Sequence, residues 1–228
     1  MLSPIDDYKS PNFGDRRGQK TVDMLVLHYT DAPDCDTARG WLCDAERQVS
    51  AHYLVDEDGT VFRLVDEAKR AWHAGVSYWA GETDVNSRSI GIEIQNPGHG
   101  NGYRPFPDVQ MAAVITLCRD VVGRHAIPQR NILAHSDIAP GRKIDPGELF
   151  DWPLLASEGI GIFPDAGDGS SDVDIAETLT AIGYDPHAEE AVSAFQRRYR
   201  PSKIDNYADA ETRALADALL QRLTGAST

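Results

Sequence analysis

The sequence has few cysteines, no long apolar segment and a shortage of positive charge. The three cysteines in 228 residues, Cys35, Cys43 and Cys118, do not make a disulfide framework, and we expect free thiols, although Cys35 and Cys43 could pair. No run of about 18 apolar residues exists, which excludes a membrane-spanning helix. With 22 Lys and Arg against 36 Asp and Glu, the net charge is -14. This charge argues against nucleic acid and anionic membrane surfaces as partners.

The first twenty residues are polar and contain proline, glycine, aspartate and arginine. They lack the apolar core of a secretory signal, so we expect a cytoplasmic protein. A periplasmic location is the alternative if an export signal has been removed. Nothing in the sequence indicates an oligomeric state.

The chain is long enough for one good hydrophobic core and a small second domain. Its 41% hydrophobic and 25% charged residues are typical of an ordinary globular protein. A polar, acidic stretch interrupts the regular patterns late in the chain, and we expect it to be a linker. The expected division is an N-terminal extension (1–23), a first domain (24–164), the linker (165–174) and a second domain (175–228).

Strand and helix patterns are interleaved in the first domain. Met24–His28 and Asn131–His135 are short apolar runs typical of buried strands. Between 89 and 95, isoleucine alternates with other residues, which predicts a strand with Glu93 on its less apolar face. An apolar stripe predicts a helix over Asp108–His125. We also expect a helix over Asp36–Gln48 and a hairpin over Ala51–Val65 with an Asp-Gly turn.

Three helical patterns follow the linker, and each is too short to be stable alone. They cover Ile175–Ile182, Glu189–Tyr199 and Ala210–Leu223, so we expect them to pack as a small bundle. The fold class is therefore α/β: a mixed central β-sheet flanked by helices, followed by a small all-α three-helix domain.

Two histidines stand where apolar strands end, and side chains at such positions commonly form binding sites. His28 ends the first strand and His135 a later one, and Lys143 and Asp145 follow in a turn rich in proline and glycine. Two imidazoles and one carboxylate are a catalytic zinc set that leaves a fourth position for water. Lys143 would then be a positive charge facing a developing oxyanion. The alternative is that both histidines are ordinary core or surface residues.

Three further residues are candidates with weaker support. Glu93 could accept a proton from a water at the metal, but on pattern alone a solvated or Arg-paired carboxylate is the simpler interpretation. Trp72 and His73, followed by Ala-Gly, could form the wall of a groove for a sugar or a peptide. A tryptophan at this position is, however, more often a core residue.

Five motifs occur in the order seen in type 2 N-acetylmuramoyl-L-alanine amidases, which share a fold with the peptidoglycan recognition proteins. The chain resembles this family over about 24–152, and its tail resembles a peptidoglycan-binding domain. The two-domain layout is similar to that of the family's broad-specificity lipoprotein member in enterobacteria, although no lipidation signal is present. The five motifs are Leu27–Thr30, Ser50–Tyr53, Trp72–Gly75, Ser89–Glu93 and Ala134–Gly147.

The resemblance implies an enzyme that binds one zinc ion and cleaves the amide between N-acetylmuramic acid, or its 1,6-anhydro form, and L-alanine. Peptidoglycan or a muropeptide would be the substrate. The family's zinc ligands correspond to His28, His135 and Asp145. Its catalytic carboxylate corresponds to Glu93 and its catalytic lysine to Lys143. In the same way, Trp72 and His73 correspond to positions that line the substrate groove.

Two other functions stay open at this stage. A module of this fold could bind peptidoglycan without cutting it, although modules that only bind lack the complete metal set. A zinc hydrolase could also act on a different acyl amide, and the peptidoglycan-binding tail argues against that alternative.

Overall fold

A computed structural model describes residues 3–19, 21–165 and 171–225. All of its strands lie before residue 135, as the sequence patterns predict. Within the described residues the strands are β1 (Phe13–Asp15), β2 (Met24–Tyr29), β3 (Tyr53–Val55), β4 (Val61–Arg63), β5 (Lys69–Ala71), β6 (Ser89–Ile94) and β7 (Ile132–Ala134).

Five of these strands form one mixed sheet in the order β4-β3-β6-β2-β7. The pairs β3–β6, β6–β2 and β2–β7 are parallel, and the hairpin β3–β4 is antiparallel. A separate two-stranded sheet pairs β1 with β5. Because β2, β6 and β7 end at the same edge, the residues that follow them meet there. The expected mixed sheet is confirmed.

Helices pack on both faces of the sheet, which confirms the expected fold class. The longest, over Asp108–His125, has the bounds that its apolar stripe predicts. The helices of the described residues are α1 (Cys35–Cys43), α2 (Val85–Arg88), α3 (Asp108–His125), α4 (His135–Ile138), α5 (Trp152–Ser157), α6 (Ile175–Ile182), α7 (Ala191–Tyr199) and α8 (Ala210–Thr224).

Successive residues of each strand point to opposite faces of the sheet. The leucines of β2, the isoleucines of β6 and the apolar stripe of α3 form a first core. Met24 and Val26 point the other way, into a second core that also contains Leu179 of α6 and Phe195 of α7. His28 alternates in step with Met24 and Val26, so it lies on the face that the three C-terminal helices cover.

The helix predicted over Asp36–Gln48 is wrong in its length, because α1 ends at Cys43. Asp44 has an extended backbone, and its carboxylate accepts a hydrogen bond from Glu46 N–H at 3.0 Å. This bond starts a separate 3-10 turn over Ala45–Arg47.

The three C-terminal helices share the second core with the sheet. The boundary between the two parts of the chain therefore stays a prediction, as does wall binding by the second part. The middle of the predicted linker, 166–170, lies outside the described residues, as do 1–2, 20 and 226–228. The rest of the N-terminal extension adds β1 to β5 and lies along the hairpin, where Ile5 N–H donates to Val61 O at 2.8 Å.

No helix among the described residues is both long and apolar enough to cross a bilayer. The three cysteines are free thiols, and those of Cys35 and Cys118 are buried.

Candidate metal centre and active-site cleft

Strand register brings the predicted site residues to one edge of the sheet. The β2–β6 register places His28 opposite Glu93. The β2–β7 register places Leu27 opposite Ala134, so His135, the first residue of α4, comes next to His28. The loop after α4 then returns to the same edge, where Ser136 N–H donates to the carbonyl of Asp145 at 3.0 Å.

The side chains of His28, His135 and Asp145 form a buried group with the geometry of a metal site. The two Nδ1 atoms are 2.9 Å apart, and Oδ2 of Asp145 is 3.1 Å from that of His28 and 3.0 Å from that of His135. Ligand atoms of a tetrahedral site with metal distances near 2.1 Å are separated by roughly 3.4 Å. The group is thus close to the size that a metal ion requires.

Hydrogen bonding orients the ring of His135. Its Nε2 lies 3.1 Å from the backbone carbonyl of Ala74. A carbonyl can only accept, so a proton on Nε2 satisfies this contact, and in the neutral ring it leaves the Nδ1 lone pair for a metal ion. The guanidinium of Arg142 donates to the same carbonyl at 2.7 Å and so holds it in place.

A chain of hydrogen bonds orients the ring of His28 in the same way. Ser89 donates its hydroxyl proton to Val85 O at 2.8 Å, so its oxygen accepts from His73 Nε2 at 3.1 Å. The other ring nitrogen of His73 is then an acceptor and takes the Nε2 proton of His28 at 3.1 Å. In the neutral ring, His28 Nδ1, like that of His135, is therefore unprotonated.

Three electron-pair donors thus face one point in the protein interior. Burial and the neighbouring His135 lower the pKa of His28 to about 4, so its imidazole is neutral near pH 7, as a metal ligand must be. Burial raises the pKa of Asp145, and protonated imidazoles at His135 and His28 lower it by more; a bound cation would favour the carboxylate in the same way. Two lone pairs and a carboxylate at this separation repel one another unless a cation lies between them. The donor set therefore fits a metal ion.

Glu93 lies beside this group with one carboxylate oxygen uncommitted. Its Oε2 is shielded from solvent and has no hydrogen-bond partner among the described residues. Burial raises the pKa of Glu93 well above its usual range, the charge of Asp145 raises it further, and Lys143 lowers it. A buried polar atom without a partner is rare in proteins and commonly marks a functional site.

A cleft of about 420 Å³ opens from this group to the surface. The predicted catalytic residues Glu93 and Lys143 and the predicted groove residue Trp72 all line it, and their roles stay predictions. The ammonium of Lys143 forms no ion pair with any described carboxylate and is available to a bound molecule. His73 also reaches the cleft, but it is only 8% exposed, and its main contacts are the hydrogen bonds to His28 and Ser89.

Some features of the site carry no signal in the sequence. Trp41 lines the cleft, with the Arg47 guanidinium 4.5 Å from its ring centroid. His99 also lines it and stacks on Tyr103, and the sequence does suggest that its glycine-rich loop could border a cleft. The orienting roles of His73 and of the Ala74 carbonyl depend on contacts between distant parts of the chain. No local pattern could have revealed them.

The model of the N-acetylmuramoyl-L-alanine amidase family matches residues 18–148 of the chain. Among curated proteins, the amidase AmiD of Escherichia coli K12 is 40% identical over 232 residues, which covers 88% of this chain and 83% of AmiD. The family match includes the three candidate ligands, Glu93 and Lys143.

Two solved structures have the same fold as this chain over nearly its whole length. AmiD from E. coli, in complex with anhydro-N-acetylmuramic acid-L-Ala-D-γ-Glu-L-Lys, has a TM-score of 0.80 and 36% identity, and the match covers 92% of this chain and 98% of the chain in that structure. AmpDH3 from Pseudomonas aeruginosa, in complex with an anhydromuramic pentapeptide, has a TM-score of 0.79 and 32% identity. The match covers 98% of this chain and 99% of the chain in that structure.

Proposed function

This chain belongs to the N-acetylmuramoyl-L-alanine amidase family and is an enzyme of that activity, and we propose that it works with one zinc ion held by His28, His135 and Asp145. The substrate is a peptidoglycan fragment in which N-acetylmuramic acid, or its 1,6-anhydro form, is joined to L-alanine. The observation that carries the zinc proposal is the buried set of three donor atoms, in which the Nε2 atom of each imidazole has a hydrogen-bond partner of its own.

In the proposed hydrolysis, Glu93 transfers the proton and zinc activates the water and the amide. Zinc, when bound, would lower the pKa of a water to about 7 and polarise the amide carbonyl. Glu93 accepts the proton of the attacking water on its uncommitted oxygen and returns it to the departing amine of L-alanine. Its raised pKa suits a group that must both take and give a proton.

Lys143 and the cleft walls bind and orient the substrate. The ammonium of Lys143 faces the oxyanion that forms when water adds to the amide, since it lines the cleft without an ion-pair partner. Trp72 and Trp41 offer flat apolar surfaces to the sugar or the stem peptide. A module that only binds peptidoglycan would gain nothing from a shielded carboxylate oxygen that has no hydrogen-bond partner among the described residues, which favours catalysis.

One experiment tests the activity and its metal. The protein is incubated with intact sacculi and, separately, with soluble anhydromuropeptides, before and after removal of metal, and the products are identified by mass spectrometry. We expect release of free L-Ala-terminated peptides, about one zinc per chain, and loss of both zinc and cleavage in His135→Ala. Full activity in metal-free protein would refute the zinc site but not the family.

We also propose that the enzyme acts in the cytoplasm on soluble anhydromuropeptides. A small number of unpaired cysteines suits a reducing compartment. Fractionation of cells that express the native gene tests this. Recovery from the periplasm, with a processed N-terminus, would overturn the location and leave the amidase activity unaffected.

A further inference from the structure

The buried carboxylate of Asp137 connects the C-terminal helices to the helix that carries His135. Asp137 is the third residue of α4 and is fully buried. Its Oδ2 accepts hydrogen bonds from Ala134 N–H at 2.8 Å and from Arg198 Nη1 at 2.5 Å. Its Oδ1 accepts from the hydroxyl of Tyr184 at 2.7 Å. Two of these three donors come from beyond residue 175.

The bond from Ala134 fixes the backbone on either side of the metal ligand. Ala134 precedes His135, and Ser136, which follows it, donates to the carbonyl of Asp145. The backbone before His135 is therefore held by the Asp137 carboxylate, and the backbone after it is held by the Asp145 loop. A shift of Asp137 would turn α4 and with it the imidazole of His135.

Arg198 is itself tightly held in the position from which it contacts Asp137. Its guanidinium lies 4.0 Å from the ring centroid of Trp152 and 4.9 Å from that of Tyr199, and its side chain is 4% exposed. A buried ion pair adds less to stability than its strength suggests, because both charges lose their hydration. What a charge-assisted hydrogen bond of this kind does add is a defined geometry.

We propose that Arg198 and Tyr184 are positioning residues for the metal centre, which they reach through Asp137 and α4. Their role is to hold His135 Nδ1 at the separation from His28 and Asp145 that a zinc ion needs. The C-terminal helices then raise the affinity of the enzyme for its metal, whatever they contribute to wall binding. This inference rests on the proposed zinc site.

The test compares three variants of the full-length chain. Arg198→Met removes the charge and keeps most of the volume, and Tyr184→Phe removes only the hydroxyl. Arg200→Met is the matched control, because Arg200 lies at the end of the same helix and pairs with Asp209 and Glu211, away from the metal. Zinc affinity is measured by competition with a chelator, and hydrogen exchange of the Ala134 amide is measured in metal-free protein.

We expect zinc affinity to fall about tenfold in Arg198→Met, as for other groups that orient metal ligands, and by less in Tyr184→Phe. The Ala134 amide should exchange faster in both variants. Arg200→Met should match the wild type in both measurements, even if its melting temperature falls. If Arg198→Met does not fold, zinc affinity and Ala134 exchange in Tyr184→Phe test the proposal.

Wild-type zinc affinity and wild-type Ala134 exchange in a folded Arg198→Met or Tyr184→Phe would overturn the inference. A fall in zinc affinity that Arg200→Met shares would also overturn it, because general destabilisation would explain the loss. If the wild type itself binds no zinc, the zinc site is refuted. The exchange of Ala134 in metal-free protein would still show whether Arg198 holds α4.

Discussion

Replacing Gly91 by alanine should weaken the metal centre without touching a ligand. A Cβ atom at position 91 of β6 would lie 2.4 Å from Cγ and 2.5 Å from Cδ2 of His73. Carbon atoms in contact are about 3.5–4.0 Å apart, so the ring would have to retreat by roughly 1 Å. It cannot do so and keep its hydrogen bonds to both His28 and Ser89, each 3.1 Å long.

The size of the effect follows from these contacts. Overfilling a packed interior costs about 1–3 kcal/mol, and each lost hydrogen bond costs about 1 kcal/mol. We therefore expect Gly91→Ala to lower the free energy of unfolding by about 2–4 kcal/mol. Loss of the partner that orients His28 should also weaken zinc binding by about 10–100-fold.

Thermal unfolding of metal-free protein and zinc competition measure the two effects separately. Gly123→Ala is the control: apart from its chain neighbours and the adjacent backbone of α3, no described atom lies within 4 Å of a Cβ at this position, and the change should stabilise the helix by up to about 1 kcal/mol. Adding His73→Ala to Gly91→Ala should recover part of the stability but not the zinc affinity. Wild-type stability and zinc affinity in Gly91→Ala would refute the claim that His73 is fixed against β6.

Three other predictions test the chemistry, the tail and the pH dependence. Glu93→Gln should keep zinc and lose most of kcat. Lys143→Ala should lower kcat by about 10²–10³-fold. A change in KM alone would mean that Lys143 only binds substrate. A chain that ends near Pro164 exposes the second core, so we expect it to lose both stability and zinc binding. Full zinc binding by this shortened chain would show that the first part folds alone. Burial raises the pKa of Glu67, but hydrogen bonds from Arg124, Tyr53 and His125 lower it to about 2. Its ionised form is therefore favoured in the folded state, and the resulting stability is present above about pH 4.5 and lost as the pH falls towards 2. Glu67→Gln should remove about 2 kcal/mol of stability at pH 7, allowing for solvent screening, and should flatten the acid limb of a pH–stability curve; an unchanged limb would contradict the assignment.

Local patterns in the sequence predict the elements well where one physical signal dominates. The apolar stripe of α3 and the alternation of isoleucine in β6 each reflect burial on one side, and the structure has both elements where expected. The placement of His28 and His135 at strand ends also needs no tertiary information. Because β2 and β7 are parallel, their ends meet at one edge of the sheet, and this brings the two histidines together.

Contacts between distant residues could not be predicted in this way. His73 supports His28 from 45 positions away, and Arg198 reaches Asp137 across 61. The sequence suggests a separate tail because the acidic linker interrupts the pattern, yet the apolar faces of α6, α7 and α8 cover the second face of the sheet. Composition shows that those faces must be buried, but it does not show against what.

The contact between Asp137 and Arg198 can form only late in the synthesis of the chain. A ribosome releases the chain from its N-terminus, so both histidine ligands emerge well before α7. Until residue 198 has left the exit tunnel, the Asp137 carboxylate lacks its cation and α4 lacks its anchor. We therefore expect a nascent chain that lacks residue 198 to bind its metal more weakly than the finished enzyme does.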